Sequence, residues 1–222
     1  IDVAPCADQD GNSYERCVYA GGTTNIDIGI ADPGYISYPS SKGITEYDET
    51  YNGEWDAVVY VLTEDGSNIL YATHFGGTEL EKGYGVAVSP EGGTVYLSGS
   101  TESNPTDQEF PITDGTDLAA AFEATRPGGT LDGFVAAFDI TLQTLKYSSY
   151  IETPADGSIT GEQVAENITS IRAISDDSYV IGSTIAAKFA DEDEGNNIRS
   201  KYISANAPDK FYSISAGGNP AS

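Results

Sequence analysis

The groups in this chain that can do chemistry are few: one histidine, two cysteines, and carboxylates that vastly outnumber the cations. His74 lies within LYATHFGG (residues 70–77), among apolar and small neighbours. A Ser-His-Asp assembly would have to be built around this imidazole, and nothing in the sequence selects its serine or its acid. A lone histidine in such a run reads as a packing residue. The HExxH, CxxC, phosphate-loop and GxSxG patterns are all missing from the sequence. Neighbouring acids such as Asp176 with Asp177 and Glu192 with Asp193 fall in turn-like stretches and read as solvated loops. No pair of them can be assigned the separation that glycoside hydrolysis requires. No catalytic residue is expected, and the chain reads as a non-enzyme.

Metal chemistry has two candidate stretches. Asp8, Asp10 and Asn12 in DQDGN place oxygen ligands at alternate positions, as a calcium loop does. However, Ser13 stands where such a loop needs its sharp-turn glycine, and Tyr19 where it needs its closing glutamate. Asp, Gly and Asn are also ordinary turn formers. ADEDEGNN (190–197) is a similar case. No cofactor is expected, with calcium at Asp8, Asp10 and Asn12 left open. Cys6 and Cys17 bracket the turn-rich stretch ADQDGNSYER, and a disulfide across such a turn is geometrically easy. The alternative is two buried thiols. A disulfide implies an oxidising compartment, hence a secreted or cell-surface protein.

The elements that must position these groups are set by composition and pattern. Thirty-five acidic residues against 10 basic ones leave a formal charge of -25, and the sequence pI is near 4.1. Nucleic acid is excluded as a partner, because binding it requires cations that neutralise phosphates. An anionic membrane surface is disfavoured for the same reason. No apolar run approaches the roughly 20 residues that span a bilayer. No basic-then-apolar leader opens the sequence, so an exported form has already shed its signal. The 39% hydrophobic content, with 25 glycines and 15 tyrosines, suits a β-rich globular chain. Apolar segments are short, rich in β-branched and aromatic residues, and closed by Gly, Asn, Asp or Pro, which predicts many short strands. The one helical candidate is DLAAAFEAT (117–125), a brief excursion in a loop.

Internal repetition organises these strands. DAVVYVLTEDGSNILYATHFGG (56–77) recurs in outline as DGFVAAFDITLQTLKYSSYIE (132–152). GYGVAVSPEGGTVYLSGST (83–101) matches the opening 24 residues and NITSIRAISDDSYVIGST (167–184). The unit is four strands, A to D. VVYVL and FVAAF are nearly continuous apolar runs, as expected of strands buried on both faces between neighbouring units.

These segments resemble the SBBP β-propeller repeat of secreted and surface proteins of bacteria and archaea. The resemblance rests on DAVVYVL, the DGSN turn at 65–68, LYATHFGG, GVAV at 85–88, VYLSGST at 95–101, and Phe110 with Pro111. It fades after about Ile151. It implies an all-β fold of β-propeller blades, each a four-stranded antiparallel repeat. The first blade covers 1–76, the second 77–152, and a divergent, incomplete third 153–222, with strand C of the third near residues 209–218. Since propellers close with about 4 to 8 blades, the expectation is a fragment of a larger propeller or one completed by a partner.

The resemblance and the missing motifs together imply a non-catalytic extracellular scaffold, adhesion or protein- or glycan-binding module. The alternative is part of a propeller enzyme acting on extracellular glycans or proteins. The long B–C connections are the expected contact surfaces, through Tyr35, Tyr38, Tyr47 and Tyr51 in the first and Phe110 and Phe122 in the second. Expected partners are an extracellular protein or glycan, or further blades, with no nucleic acid and no membrane insertion.

Overall fold

In the computed structural model of the chain, the described residues are 1–8, 10–25, 47–50, 52–113, 121, 124–126, 131–151, 165–186, 198–204 and 207–214. Twelve strands occur among them. The first four are β1 (Asp2–Ala7), β2 (Ser13–Thr24), β3 (Asp56–Thr63) and β4 (Ile69–Phe75). Next come β5 (Glu81–Val88), β6 (Thr94–Thr101), β7 (Asp132–Asp139) and β8 (Leu145–Ile151). The last four are β9 (Ala165–Ser175), β10 (Ser178–Ala186), β11 (Ile198–Ser204) and β12 (Ala207–Ile214). They form three antiparallel four-stranded sheets, ordered β1-β2-β3-β4, β5-β6-β7-β8 and β12-β11-β10-β9. Here they are called sheets 1, 2 and 3.

Local chemistry explains the hairpins. In the β3–β4 turn, Asp65 Oδ1 accepts hydrogen bonds from the Ser67 amide (3.0 Å) and the Thr63 hydroxyl (2.7 Å). Gly66 there takes φ +69°, a conformation that other residues adopt only with strain. In the β7–β8 turn, Asp139 Oδ1 accepts from the amides of Gln143 (2.8 Å) and Thr144 (2.7 Å).

Sheet 2 lies between the other two. Strand β5 packs on β2 and β3, and β9 packs across β5, β6 and β7. Phe134, Ala136 and Phe138 of β7 enter a core shared with Ala57, Val59, Val61 and Phe75 of sheet 1. The alternate residues Val135 and Ala137 enter a second core with Ile168, Ala173, Tyr179 and Ile181 of sheet 3. This is why β7 is written as an unbroken apolar run: both of its faces are covered, and each fully buried Val or Phe contributes roughly 1.5–3 kcal/mol.

Two expectations are corrected. The β-propeller assignment does not hold, because none of the three sheets closes into a barrel or curls strongly as propeller blades require. Turn residues and doubly buried runs specify a four-stranded antiparallel unit, but they do not specify how successive units are arranged about an axis. The third unit is also not incomplete. It has four strands, with β11 at Ile198–Ser204 in the third position and β12 at Ala207–Ile214 as the fourth. The charged residues 198–201 (IRSK) open β11.

Candidate functional site

The strands have two ends: one carries the tight hairpin turns, the other the longer connections. At the turn end, Cys6 and Cys17 form a disulfide with Cα atoms 5.9 Å apart, stapling β1 to β2. In the turn it spans, Asp8 Oδ1 accepts from the amides of Asp10 (2.9 Å) and Asn12 (2.8 Å). Asp8 Oδ2 accepts from the Asn12 side chain (2.8 Å) and the Tyr14 hydroxyl (3.0 Å). The hydrogen bond from the Asn12 side chain leads the contacts that hold this carboxyl below the usual carboxylate range. Both Asp8 oxygens are thus engaged by the turn's own donors. Among the described residues, no three His, Cys, Asp or Glu side chains gather as a metal site.

Beside this hairpin lies an open cleft of about 560 Å³. One wall is β1, with Val3 and Pro5; the other is the β5–β6 turn, with Glu91, and Tyr14 and Ile140 also contribute. Asp2 ties the walls together, its Oδ2 accepting the Val88 amide at 2.8 Å. Although β1 is an edge strand, its free side is blunted. Pro5 has no N–H, and the Val3 amide donates to Asp2 Oδ1 (2.8 Å). The Ala7 carbonyl accepts from the Tyr71 hydroxyl (2.9 Å) and the Pro5 carbonyl from Tyr19 (3.4 Å). Few backbone groups are left to pair with another strand. Side chains therefore dominate what the cleft can offer: exposed Glu91, Val3 at 44% exposure, and the half-buried Tyr14.

The long connections are placed differently from the expectation. Phe110 is 2% exposed. Its ring stacks on Tyr150 (centroids 5.0 Å apart) and meets Phe75 (5.3 Å) and Phe134 (5.6 Å) edge-on. It is a core residue, and its expected role as a surface contact is corrected accordingly. Tyr47 is partly buried against the same core, its ring 5.6 Å from Phe138, and burial pushes its hydroxyl up to about 12. Around these anchors the chain runs beside the outer strands of sheets 1 and 2. The His74 amide donates to the Asp48 carbonyl (2.9 Å). On β8, the Ser148 amide donates to Thr113 Oγ1 (3.2 Å). Covering these edges and the core behind them explains why Tyr47 and Phe110 sit there. Tyr35, Tyr38, Tyr51 and Phe122 lie outside the described residues, as do Glu192, Asp193 and most of the 117–125 helical candidate.

His74 is fully buried on β4, paired with Val58 across the sheet. Asp176 is not simply a solvated turn residue. Its carboxylate accepts from the Ser89 hydroxyl and the Gly93 amide, and its carbonyl accepts from the Tyr96 hydroxyl (2.7 Å), so it braces sheet 3 against sheet 2.

At the opposite end the structure gathers carboxylates that sequence reasoning missed. Asp56 opens β3, Asp132 opens β7 and Glu81 opens β5, and all three are at most 2% exposed. Asp132 Oδ2 is held by Arg126 Nε at 2.5 Å. Glu81 Oε2 accepts the Gly77 amide (2.9 Å) and Oε1 the Thr101 hydroxyl (2.5 Å). Asp56 Oδ2 accepts the Asn52 amide (2.9 Å), while its Oδ1 is buried without a hydrogen-bond partner. Burial pushes Asp56 up to about 7, opposed by the Asn52 amide and reinforced by the nearby charge of Glu81. Burial raises Glu81 as well, against the pull of its hydrogen bonds. The available signal was the acid at the head of both doubly buried runs, DAVVYVL and DGFVAAF, since a carboxylate there must find a partner.

Among the described residues no helix is long and apolar enough to cross a membrane. No protein-family model matches the chain, and no match is found among curated proteins, so the SBBP resemblance has no support beyond the segments that suggested it.

Proposed function

We propose that this chain is a non-catalytic extracellular binding module that captures a cationic segment of another protein in the cleft between β1 and the β5–β6 turn. The observation that carries the reading is the cleft itself. Its volume of about 560 Å³ is in the usual range for recognition sites, and it stands against a disulfide-stapled wall. The disulfide suits an oxidising compartment. The exposed Glu91 at the rim and the overall charge of -25 favour a basic partner and would speed its approach. The blunted β1 edge means that side chains, not an added strand, supply the contacts. Of the aromatic residues expected to make contacts, Tyr47 and Phe110 pack against the core, which supports looking for the contact surface at this end of the strands.

The test is calorimetric titration with a Lys-rich decapeptide, its Glu-substituted counterpart and a neutral oligosaccharide. Lys-peptide binding that weakens at least tenfold in Glu91→Lys and Val3→Lys, but not in the remote Asp107→Lys, supports the reading. Equal weakening by all three variants reduces the effect to net charge. Binding of the oligosaccharide alone replaces the protein partner with a glycan.

A further inference from the structure

The buried carboxylates at the connection end have a feature that the binding reading does not use. Asp56 belongs to sheet 1 and Glu81 to sheet 2, and the chain that links them passes through Gly76 and Gly77. A Cβ added to Gly76 would meet both Glu81 Oε2 and Asp56 Oδ1, so both oxygens lie on the same side of this glycine. The Gly77 amide already occupies one direction at Glu81 Oε2, and Asn52 occupies Asp56 Oδ2. The buried Asp56 Oδ1 has no donor. Two ionised carboxylates placed this way would repel in a medium that screens poorly, and neither could donate to the other. A single proton removes both difficulties, because a protonated carboxyl is a donor.

We propose that Asp56 and Glu81 share one proton across Gly76, with Asp56 Oδ1–H donating to Glu81 Oε2, and that this proton closes the joint between sheets 1 and 2, which loosens when the proton is lost. The surroundings favour retention of the proton. Asp48, from the segment before β3, adds negative charge near Asp56. Glu79, in the same linking turn, accepts from the Gln108 side chain at 2.8 Å. On the sheet 2 side, Asp132 is matched by Arg126, and the Tyr150 hydroxyl donates to the Ser103 carbonyl at 2.8 Å. Lys82, next to Glu81, is exposed, and His74 is buried on β4 opposite Val58. The repeat supplies a comparison: at the position equivalent to Asp56, Asp132 has a guanidinium, whereas Asp56 has the second acid.

Because the folded state holds this proton more tightly than the unfolded chain, unfolding releases it. The pair's contribution to stability therefore falls as pH rises from about 4 to about 7, and is level above that. Within this window the unfolding constant grows by up to about tenfold per pH unit relative to a chain lacking the pair. Infrared difference spectra of the wild-type protein at pH 5.5 and 8.5 should show a buried protonated-carboxyl stretch at the lower pH only. Asp56→Asn should lose that band, and its urea midpoint should lack the wild-type decline with pH, because the amide can donate permanently to Glu81. Protection of the Gly77 amide, taken relative to its intrinsic base-catalysed exchange rate at each pH, should fall above pH 7 in the wild type and not in Asp56→Asn. If Asp56→Asn does not fold, Glu81→Gln serves for the same comparison. No carboxyl band at pH 5.5, or a variant with the wild-type pH slope, overturns the proposal. So does calcium at pH 8 that restores the low-pH midpoint in the wild type, which would make the pair a cation site.

Discussion

Truncating Phe110 to alanine separates a loop that binds from a loop that folds. In the structure the ring is 2% exposed and touches Phe75, Phe134 and Tyr150 at centroid distances of 5.0 to 5.6 Å. Removing a buried Phe deletes its transfer free energy and leaves a cavity, at a cost of about 3–5 kcal/mol. Three aromatic neighbours lose their contacts together, and each such pair is worth about 0.5–1.5 kcal/mol beyond area. The upper half of the range therefore applies. For a chain of this size each kcal/mol moves the melting temperature by roughly 2–4 °C, so a fall of about 8–20 °C is expected. Phe110→Leu retains most of the volume and should fall by less than half as much. Urea denaturation with an unchanged slope is the assay, since it reads stability separately from any change in the surface exposed on unfolding. A loss below about 1 kcal/mol in Phe110→Ala would mean that the ring is not a core element, and the surface role first assigned to it would return.

Further outcomes follow from the same structure. Reducing the Cys6–Cys17 bond, whose partners are 11 positions apart, should cost about 3 kcal/mol, read as a lower urea midpoint in reductant; an unmoved midpoint would refute the staple. Arg126→Met removes the cation from an Asp132 side chain that is 2% exposed and should cost about 3 kcal/mol. Adding Asp132→Asn should recover a substantial part of that loss, and no recovery would show that the cation is not what Asp132 requires. Asp65 is held at about 2, first by the Thr63 hydroxyl and then by Ser67, against an ordinary 3.8. Its contribution is therefore present above about pH 4 and lost as pH falls towards 2. The stability gap between wild type and Asp65→Ala should close over that interval in acid titration, and a gap independent of pH would rule the ionised carboxylate out as its source.

What was legible in the sequence was local. The DGSN turn, the Gly-closed runs and the unbroken DGFVAAF each specify a hairpin or a doubly covered strand from adjacent residues alone. The four-strand unit follows from repeating them. The errors came where distant residues decide. β11 carries Arg199 and Lys201, so its charge disguised a strand that pairs with β10 all the way from Ile198 to Ser204. The arrangement of whole sheets depends on how β5 and β9 pack across their neighbours, which no single stretch records. Phe110 reads as a spare aromatic in a long loop until β4, β7 and β8 are brought around it.

The acids at the connection end show why the long connections cannot be treated as decoration on the repeat. Each of the first two units begins its third strand with an aspartate that the sheet stack buries, and a buried carboxylate must be matched or neutralised. In the second unit the match comes from Arg126, which belongs to the β6–β7 connection. In the first, the described part of the β2–β3 connection offers the backbone amides of Asn52 and Gly53 and no cation, and the remaining need falls on Glu81 from the next sheet. One repeated position thus acquires two electrostatic solutions, one through a guanidinium and one through a second acid. Only the second has a charge state that changes near neutral pH, and it sits where sheet 1 hands the chain to sheet 2. A substitution that puts a cation near Asp56 would therefore make its surroundings resemble those of Asp132 and remove the pH dependence without removing the acid.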